Sequence, residues 1–287
     1  MGLSFRTNIP SLKAQLDVAR TSADLSDTFA RLSSGLRIND ASDDPAGLAL
    51  AEKLKTDGRV AAVAIRNAND GLSLAATADA ALGEVSNILG RMLELATQSS
   101  NGIFTNSQRS AISSEFLALG SEIDRISRTT TFNGLNLLSG SQNITLQVGF
   151  TSGSDSQITM TGVLGTLAAL GLSSSAAGNN LTYSVIDTTS AGAAAAALVA
   201  LSVIGAAMNS LSGIRGTLGA SMSRLNRAIN NLSNVRDNYL AAESKIRDVD
   251  VAQEVANMVR LQVLQKAGTA VLAQANQQPS LVLSLLQ

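Results

Sequence analysis

The spacing of apolar residues is the most ordered feature of the chain. Leu54, Gly58, Ala61, Ile65, Ala68, Leu72, Ala75, Asp79, Leu82, Ser86, Leu89, Leu93 and Ala96 advance by alternating steps of four and three. That is a heptad seam about six heptads long, and it predicts a long helix packed along another helix. Asp79 is its charged member, and a slight rotation would let Ala78 or Ala80 cover that turn. A second seam runs through Leu201, Ile204, Met208, Leu211, Arg215, Leu218, Met222, Leu225, Ile229, Leu232, Arg236 and Tyr239, with Arg215 and Arg236 as its charged members. The two seams can satisfy each other within one chain. The expected bundle core is then Ile65, Leu72, Leu82 and Leu89 with Leu218, Leu225, Ile229 and Leu232.

The chain ends carry weaker patterns. Leu12, Leu16, Ala19, Ala23 and Ala30 lie at helical spacing within Ile9–Leu32, beside a stripe of Leu25, Phe29 and Leu32, and Ser34-Gly35 ends that helix. Asp44 before Pro45 reads as an N-cap followed by proline in the first turn. Near the other end Asp248-Val249-Asp250 interrupts the second seam. A last helix starts near Asp250, with Gln253 in the capping-box position. It carries Val255, Met258, Leu261, Leu264 and Val271 to about Asn276, and Pro279 marks a kink or stop. Each terminal helix is isolated by a polar break and has only the other end to pack on. Two lone helices make a marginal core, so neighbouring subunits are expected to supply the missing surface.

Between the seams a shorter helix is expected over about residues 107–127, with Ile112, Phe116, Leu119, Ile123 and Ile126 inward. From Gly140 to Gly192 charge nearly vanishes and Gly, Ser and Thr rise. Asn143–Val148 and Ser156–Thr161 alternate polar and apolar around Ser152-Gly153-Ser154-Asp155, the pattern of a β-hairpin, and Leu181–Ile186 is a third candidate strand. The expected fold is mainly α: a long antiparallel helical bundle or coiled coil formed by both chain ends, with a small β-hairpin region in the middle. The expected division is 1–44 inner helix and connector, 45–139 first half of the bundle, 140–192 insertion, 193–240 second half, and 241–287 connector and inner helix.

Composition narrows the function. The 287 residues hold no histidine and no cysteine. That removes the commonest general base and metal ligand, and with them Ser-His-Asp and Cys-His catalysis. With 21 basic and 22 acidic residues the net charge is −1, too balanced for a nucleic-acid binder. No phosphate-binding loop of the Walker or Rossmann type occurs. Asp43, Asp44, Asp248 and Asp250 read as helix caps and turn formers rather than metal ligands. No catalytic, cofactor or metal site is expected. The N-terminus carries no signal-peptide pattern, and the Ala191–Ala207 run, broken by Ser202 and Gly205, is not expected to insert in a membrane.

Several stretches resemble bacterial flagellin. They are Arg31-Leu-Ser-Ser-Gly-Leu-Arg-Ile-Asn39, Asp43-Asp44-Pro-Ala-Gly-Leu-Ala, Glu122-Ile-Asp-Arg-Ile-Ser127 and Thr131-Phe-Asn-Gly134. Near the end they are Glu254-Val-Ala-Asn-Met258 and Leu264-Gln-Lys-Ala-Gly-Thr-Ala-Val-Leu-Ala-Gln-Ala-Asn276. The resemblance covers nearly the whole chain outside residues 140–190, with the outer variable domain absent or reduced. It implies a structural subunit, exported through the flagellar type III apparatus, that polymerises into an extracellular filament for motility. Its implied partners are other copies of itself, an export chaperone, the filament cap and the hook–filament junction proteins. The terminal helices would line the channel as a coiled coil, through Leu12, Leu16, Ala19, Ala23, Val255, Met258, Leu261, Leu264 and Val271. Arg91, Glu94 and Leu95, with Glu115 on the partner helix, resemble the surface read by the vertebrate innate flagellin receptor, which also serves subunit packing. A hook–filament junction adaptor shares similar termini and is the alternative reading. An enzyme within the middle insertion is a third reading, which the missing histidine and small size of that segment disfavour.

Overall fold

The computed structural model describes residues 7–140, 143–161, 163–173, 181–187 and 189–285. In chain order the elements are α1 Ile9–Ser34, α2 Pro45–Ser100, α3 Asn106–Thr129, β1 Thr131–Phe132, β2 Leu135–Asn136, β3 Ile144–Gln147, a 3-10 turn Ser154–Ser156, β4 Gln157–Met160, α4 Ser190–Arg247 and α5 Val251–Leu285. The chain forms two compact units. One holds residues 1–59 and 236–287, and the other holds 60–235. This is the mainly α, helical-bundle fold with a small central β region that the seams predict.

In the unit of residues 60–235, one apolar core gathers Leu74–Ala96 of α2, Ile112, Phe116 and Ile123 of α3, and Ala197–Leu218 of α4. Leu82, Leu89, Leu218, Leu225 and Leu232 are buried, and Ile65, Leu72 and Ile229 are half-buried. The buried stripe of α2 is turned by one position from the predicted seam. Ala61, Ala68, Ala75, Leu82, Leu89 and Ala96 are shared, but Ala64, Ala78, Val85 and Met92 replace Ile65, Asp79, Ser86 and Leu93 as the second row. Helix α2 packs on α3 as well as α4, so its buried face is wider than a two-helix stripe. The rotation seats Ala78 in the core and leaves Ala80 exposed. It also carries Asp79 to the rim, where Arg215 grips it with two bonds, Nε–Oδ1 at 2.8 Å and Nη2–Oδ2 at 3.2 Å. Ala68 lies with Leu225 and Asp79 with Arg215, so α2 and α4 run antiparallel here.

The Arg215 hydrogen bond holds the Asp79 carboxyl below its ordinary pKa. A lowered carboxylate pKa adds stability above the unfolded-state value, and that stability is lost as pH falls through the folded value. Both side chains remain about two-fifths exposed, so the pair is worth less than about 1 kcal/mol. Urea unfolding repeated from neutral to acid pH should show Asp79→Asn removing part of the acid sensitivity. An unchanged pH profile would show that the pair contributes nothing.

The expected hairpin is present. β3 and β4 pair antiparallel from Ile144↔Met160 to Gln147↔Gln157. A second hairpin, β1–β2, turns on Asn133 at φ 50° and Gly134 at φ 77°. Two successive positive φ values make a two-residue type I′ turn, which favours Asn-Gly. Leu181–Ile186 does not form the expected third strand. The Ser184 hydroxyl accepts the Ile186 amide at 3.2 Å, and Ser99 Oγ donates to the Val185 carbonyl at 2.7 Å. The groups a ladder needs are committed to a local turn and to α2.

Helix α4 runs through the alanine-rich segment without a break. Over Gly192–Arg247 it is long and apolar enough by length and composition to cross a membrane. Neither Ser202 nor Gly205 interrupts the helix, and its alanines raise the mean hydropathy. Ala193, Ala197, Ala200, Ile204 and Ala207 are buried in the bundle, so its apolar face serves as core.

In the unit built from the two chain ends, Gly35 ends α1 in the left-handed conformation at φ 72°, its N–H bonding the Arg31 carbonyl at 2.9 Å. Asp44 Oδ1 caps α2 through the Gly47 amide at 2.9 Å, and Asp250 Oδ1 caps α5 through the Ala252 and Gln253 amides. The connectors lie against each other. Arg37 N–H donates to the Arg247 carbonyl at 2.6 Å, and Val249 N–H to the Gly35 carbonyl at 3.1 Å. Glu52 pairs with Arg247 at 2.8 Å, and Gly58 lies beside Leu240, so α2 and α4 are antiparallel here too.

Pro279 does not stop α5, which continues to Leu285. A proline inside a helix withholds the one N–H that would bond the carbonyl four residues back. That carbonyl belongs to Ala275, and the Asn8 side-chain amide donates to it at 2.9 Å.

Candidate functional site

The terminal helices α1 and α5 pack antiparallel on each other through a face that mixes small, polar and a few larger apolar residues. On α1 it consists of Ser11, Ala14, Leu25 and Thr28, all buried, with half-buried Val18 and Ser22. On α5 it consists of buried Glu254 and Ala275 with half-buried Met258, Leu261, Gln265, Gly268 and Leu272. Gly268 allows the closest approach, because a Cβ there would stand 2.8 Å from Val18 Cγ2. Ser11 Oγ donates to Asn276 Oδ1 at 2.6 Å, and Gln265 Nε2 to Ser22 Oγ at 3.0 Å. Arg31 reaches Asp43 at 3.2 Å and Glu254 at 3.9 Å. The amides of Asn39 and Asp40, and then Arg31, hold the Asp43 carboxyl below its ordinary pKa.

The larger apolar side chains point away from this seam. Ile9, Leu12, Leu16 and Phe29 of α1 are exposed, as are Val251, Val255, Val259, Val263, Leu264 and Val271 of α5. Leu16 is 54% exposed and Val263 is 60% exposed. Ala19 and Ala23 are exposed on α1 as well. Of the residues singled out in the sequence, Met258 and Leu261 therefore line the intrachain seam in part. Leu12, Leu16, Ala19, Ala23, Val255, Leu264 and Val271 stand in solvent. Exposed apolar side chains in this number on a helix pair mark surface for further packing.

A second candidate surface lies on α2 and α3. Arg91 Nη1 pairs with Glu94 at 2.8 Å and Arg91 Nη2 with Glu115 at 2.8 Å, all exposed. Hydrogen bonds from Glu94 and then Glu115 raise the Arg91 pKa above its ordinary value. Leu95 does not share this surface, since it is buried in the core. Its place one position beyond Glu94 turns it inward with Met92 and Ala96. Among the described residues no group of three or more His, Cys, Asp and Glu converges as a metal site.

Residues 5–143 match the bacterial flagellin N-terminal helical region, and residues 201–286 match the bacterial flagellin C-terminal helical region. The two matches bracket the unmatched middle as the heptad seams bracket it. The chain belongs to the bacterial flagellin family. A flagellin of Halalkalibacterium halodurans is 41% identical over 281 residues, 98% of each chain. Flagellin E of Vibrio cholerae serotype O1 is 31% identical over 377 aligned positions spanning both chains in full. A putative flagellar hook-associated protein from Vibrio parahaemolyticus has a TM-score of 0.59 at 18% identity, covering 72% of this chain and 100% of that one, and shows a shared fold alone. As a flagellin, the protein is a structural subunit of the flagellar filament, serves motility through self-assembly, and is not an enzyme.

Proposed function

We propose that α1 and α5 are the inner helices of the flagellin filament, loosely paired in the free subunit and completed by neighbouring copies as a channel-lining coiled coil. The observation that carries this is the distribution of apolar side chains. The intrachain seam mixes small and polar groups with a few apolar ones such as Leu25, Met258 and Leu261, while Leu12, Leu16, Val255, Val263, Leu264 and Val271 remain in water. At about 25 cal/mol per Å² of apolar area, covering that face is a strong drive to polymerise. A pair of helices held by a thin seam also unfolds readily. That suits export of the chain in an unfolded state through the flagellar type III apparatus with an export chaperone, and addition beneath the cap outside the cell. The first copies would meet the hook–filament junction proteins. The exposed Arg91–Glu94–Glu115 cluster is the part of the predicted receptor surface open to a partner such as the vertebrate innate flagellin receptor, with Leu95 acting only through the core beneath it.

Hydrogen–deuterium exchange on the full chain tests this. Amides of α1 and α5 should exchange quickly in the monomer and gain the largest protection in the filament. Equal protection in the two states would overturn the reading.

A further inference from the structure

Four polar contacts across the α1–α5 seam share one stagger. Asn8 meets Ala275, Ser11 meets Asn276, Ser22 meets Gln265 and Arg31 meets Glu254. They sit at both ends and in the middle of the seam. The apolar groups between them are Ala14, Val18 and Leu25 on α1 and Met258, Leu261 and Leu272 on α5, of which all but Ala14 and Leu25 are half-buried. Apart from the close Val18–Gly268 approach, such groups carry no directional preference and can repack one helical turn, about 5.4 Å, out of place. Directional hydrogen bonds do not survive that slip, and a polar group on a helix seam specifies register at a cost in stability.

Asn8 is the most constrained of the set. Its Oδ1 accepts the Ser11 amide at 3.1 Å as the cap of α1, while its Nδ2 donates to the Ala275 carbonyl at 2.9 Å. That carbonyl is free because Pro279 has no N–H to offer it. Proline at this point gives α5 a marked acceptor, where any other residue would leave an ordinary helical carbonyl.

We infer that Asn8, Ser11, Ser22, Gln265 and Asn276, with Pro279, are positioning residues that set the stagger of α1 on α5. They thereby align the two outward apolar faces for neighbouring subunits. This rests on the assembly role proposed for those faces.

The chain has no cysteine, so two introduced ones report without background. Lys13→Cys and Arg260→Cys place spin labels on exposed polar positions outside the polar seam, and by this stagger they stand roughly 21 Å apart along the helix axes, so an axial slip changes their distance by nearly its full length. Labelled subunits are diluted into unlabelled ones, filaments are grown from seeds, and the interspin distance is read by pulsed electron resonance. The otherwise native chain should give one sharp distance. In the variant Asn8→Ala, Ser22→Ala, Gln265→Leu, Asn276→Ala, a second distance displaced by about 5.4 Å should appear. Elongation should slow in proportion to that out-of-register fraction. Pro279→Ala returns an N–H to the Ala275 carbonyl and should act in the same direction with helix content kept, which decides the matter should the fourfold variant unfold. A single unshifted distance with normal elongation in Pro279→Ala overturns the inference, and so does a shifted distance with normal elongation. Failure of α1 and α5 to gain exchange protection on assembly would instead sink the underlying assembly reading, whatever the distances.

Discussion

A chain carrying Leu16→Asp and Val263→Asp keeps the helix content of the native monomer and fails to elongate filaments. Both positions stand in water in the free subunit, at 54% and 60% exposure, so a carboxylate there meets no desolvation cost. On the proposed assembly the same faces lie beneath neighbouring copies in the filament. Burying an unpaired carboxylate costs several kcal/mol, and each 1.4 kcal/mol is a factor of ten in an association constant. Two such charges in every subunit should raise the critical concentration by more than about a thousandfold. Sedimentation of seeded reactions measures it directly. Leu16→Ala is the graded control, since it loses apolar area without adding charge and should raise the critical concentration by a smaller factor. A doubly charged chain that polymerises near the native concentration would show that these faces stay wet in the filament. The inner coiled coil would then have to be built from other surfaces.

Much of this arrangement is legible in the sequence because it rests on local rules. The heptads at Leu54–Ala96 and Leu201–Tyr239 follow from helical periodicity alone. Asp44-Pro45, Gly35 and Asp250 mark helix boundaries through cap chemistry that depends on neighbours in sequence. The β3–β4 hairpin follows from strict alternation around a Gly-Ser turn. What periodicity could not supply is the number of partners a helix has. Helix α2 touches two other helices, and its buried row turns from Ile65 and Asp79 to Ala64 and Ala78. A pattern of apolar residues also cannot say which stripe faces its own chain. On α1 the intrachain stripe is Ser11, Ala14, Ser22, Leu25 and Thr28, of which only Leu25 belongs to a stripe expected from the sequence, while Leu12 and Leu16, assigned by the resemblance to inner-helix assembly, are exposed. Of the kink or stop expected at Pro279, the stop does not occur, for a related reason: the carbonyl that proline leaves unpaired is taken by Asn8, far away in sequence. The Asp79–Arg215 bond lies between these extremes. Both residues stand out as charged members of their seams, but only the fold brings them together.

Arg109→Ala should be among the most damaging single substitutions in the unit of residues 60–235, and no sequence pattern marks it. Arg109 sits in the first turn of α3, where a cation is disfavoured by the helix dipole and an exposed position would be expected. It is 1% exposed. Its guanidinium turns back to the C-terminal end of α2, donating from Nη2 to the Asn101 carbonyl at 2.9 Å and from Nε to the Phe104 carbonyl at 3.2 Å. That end of α2 carries the negative pole of a long helix, so the cation is favoured there more than it is disfavoured at α3. Truncation leaves two carbonyls without these donors, at about 1–3 kcal/mol each, and opens a cavity where the stem packed. The expected loss is about 3–5 kcal/mol, a large share of the stability of a domain this size. Urea unfolding followed by circular dichroism should show it as a lower midpoint at unchanged slope. Arg109→Lys keeps the charge but cannot span both carbonyls, and should recover only part of the loss. A loss below about 1 kcal/mol for the alanine variant would mean that water replaces the guanidinium without penalty. The α2–α3 turn would then be held by the Thr105–Gln108 capping box rather than by the buried cation.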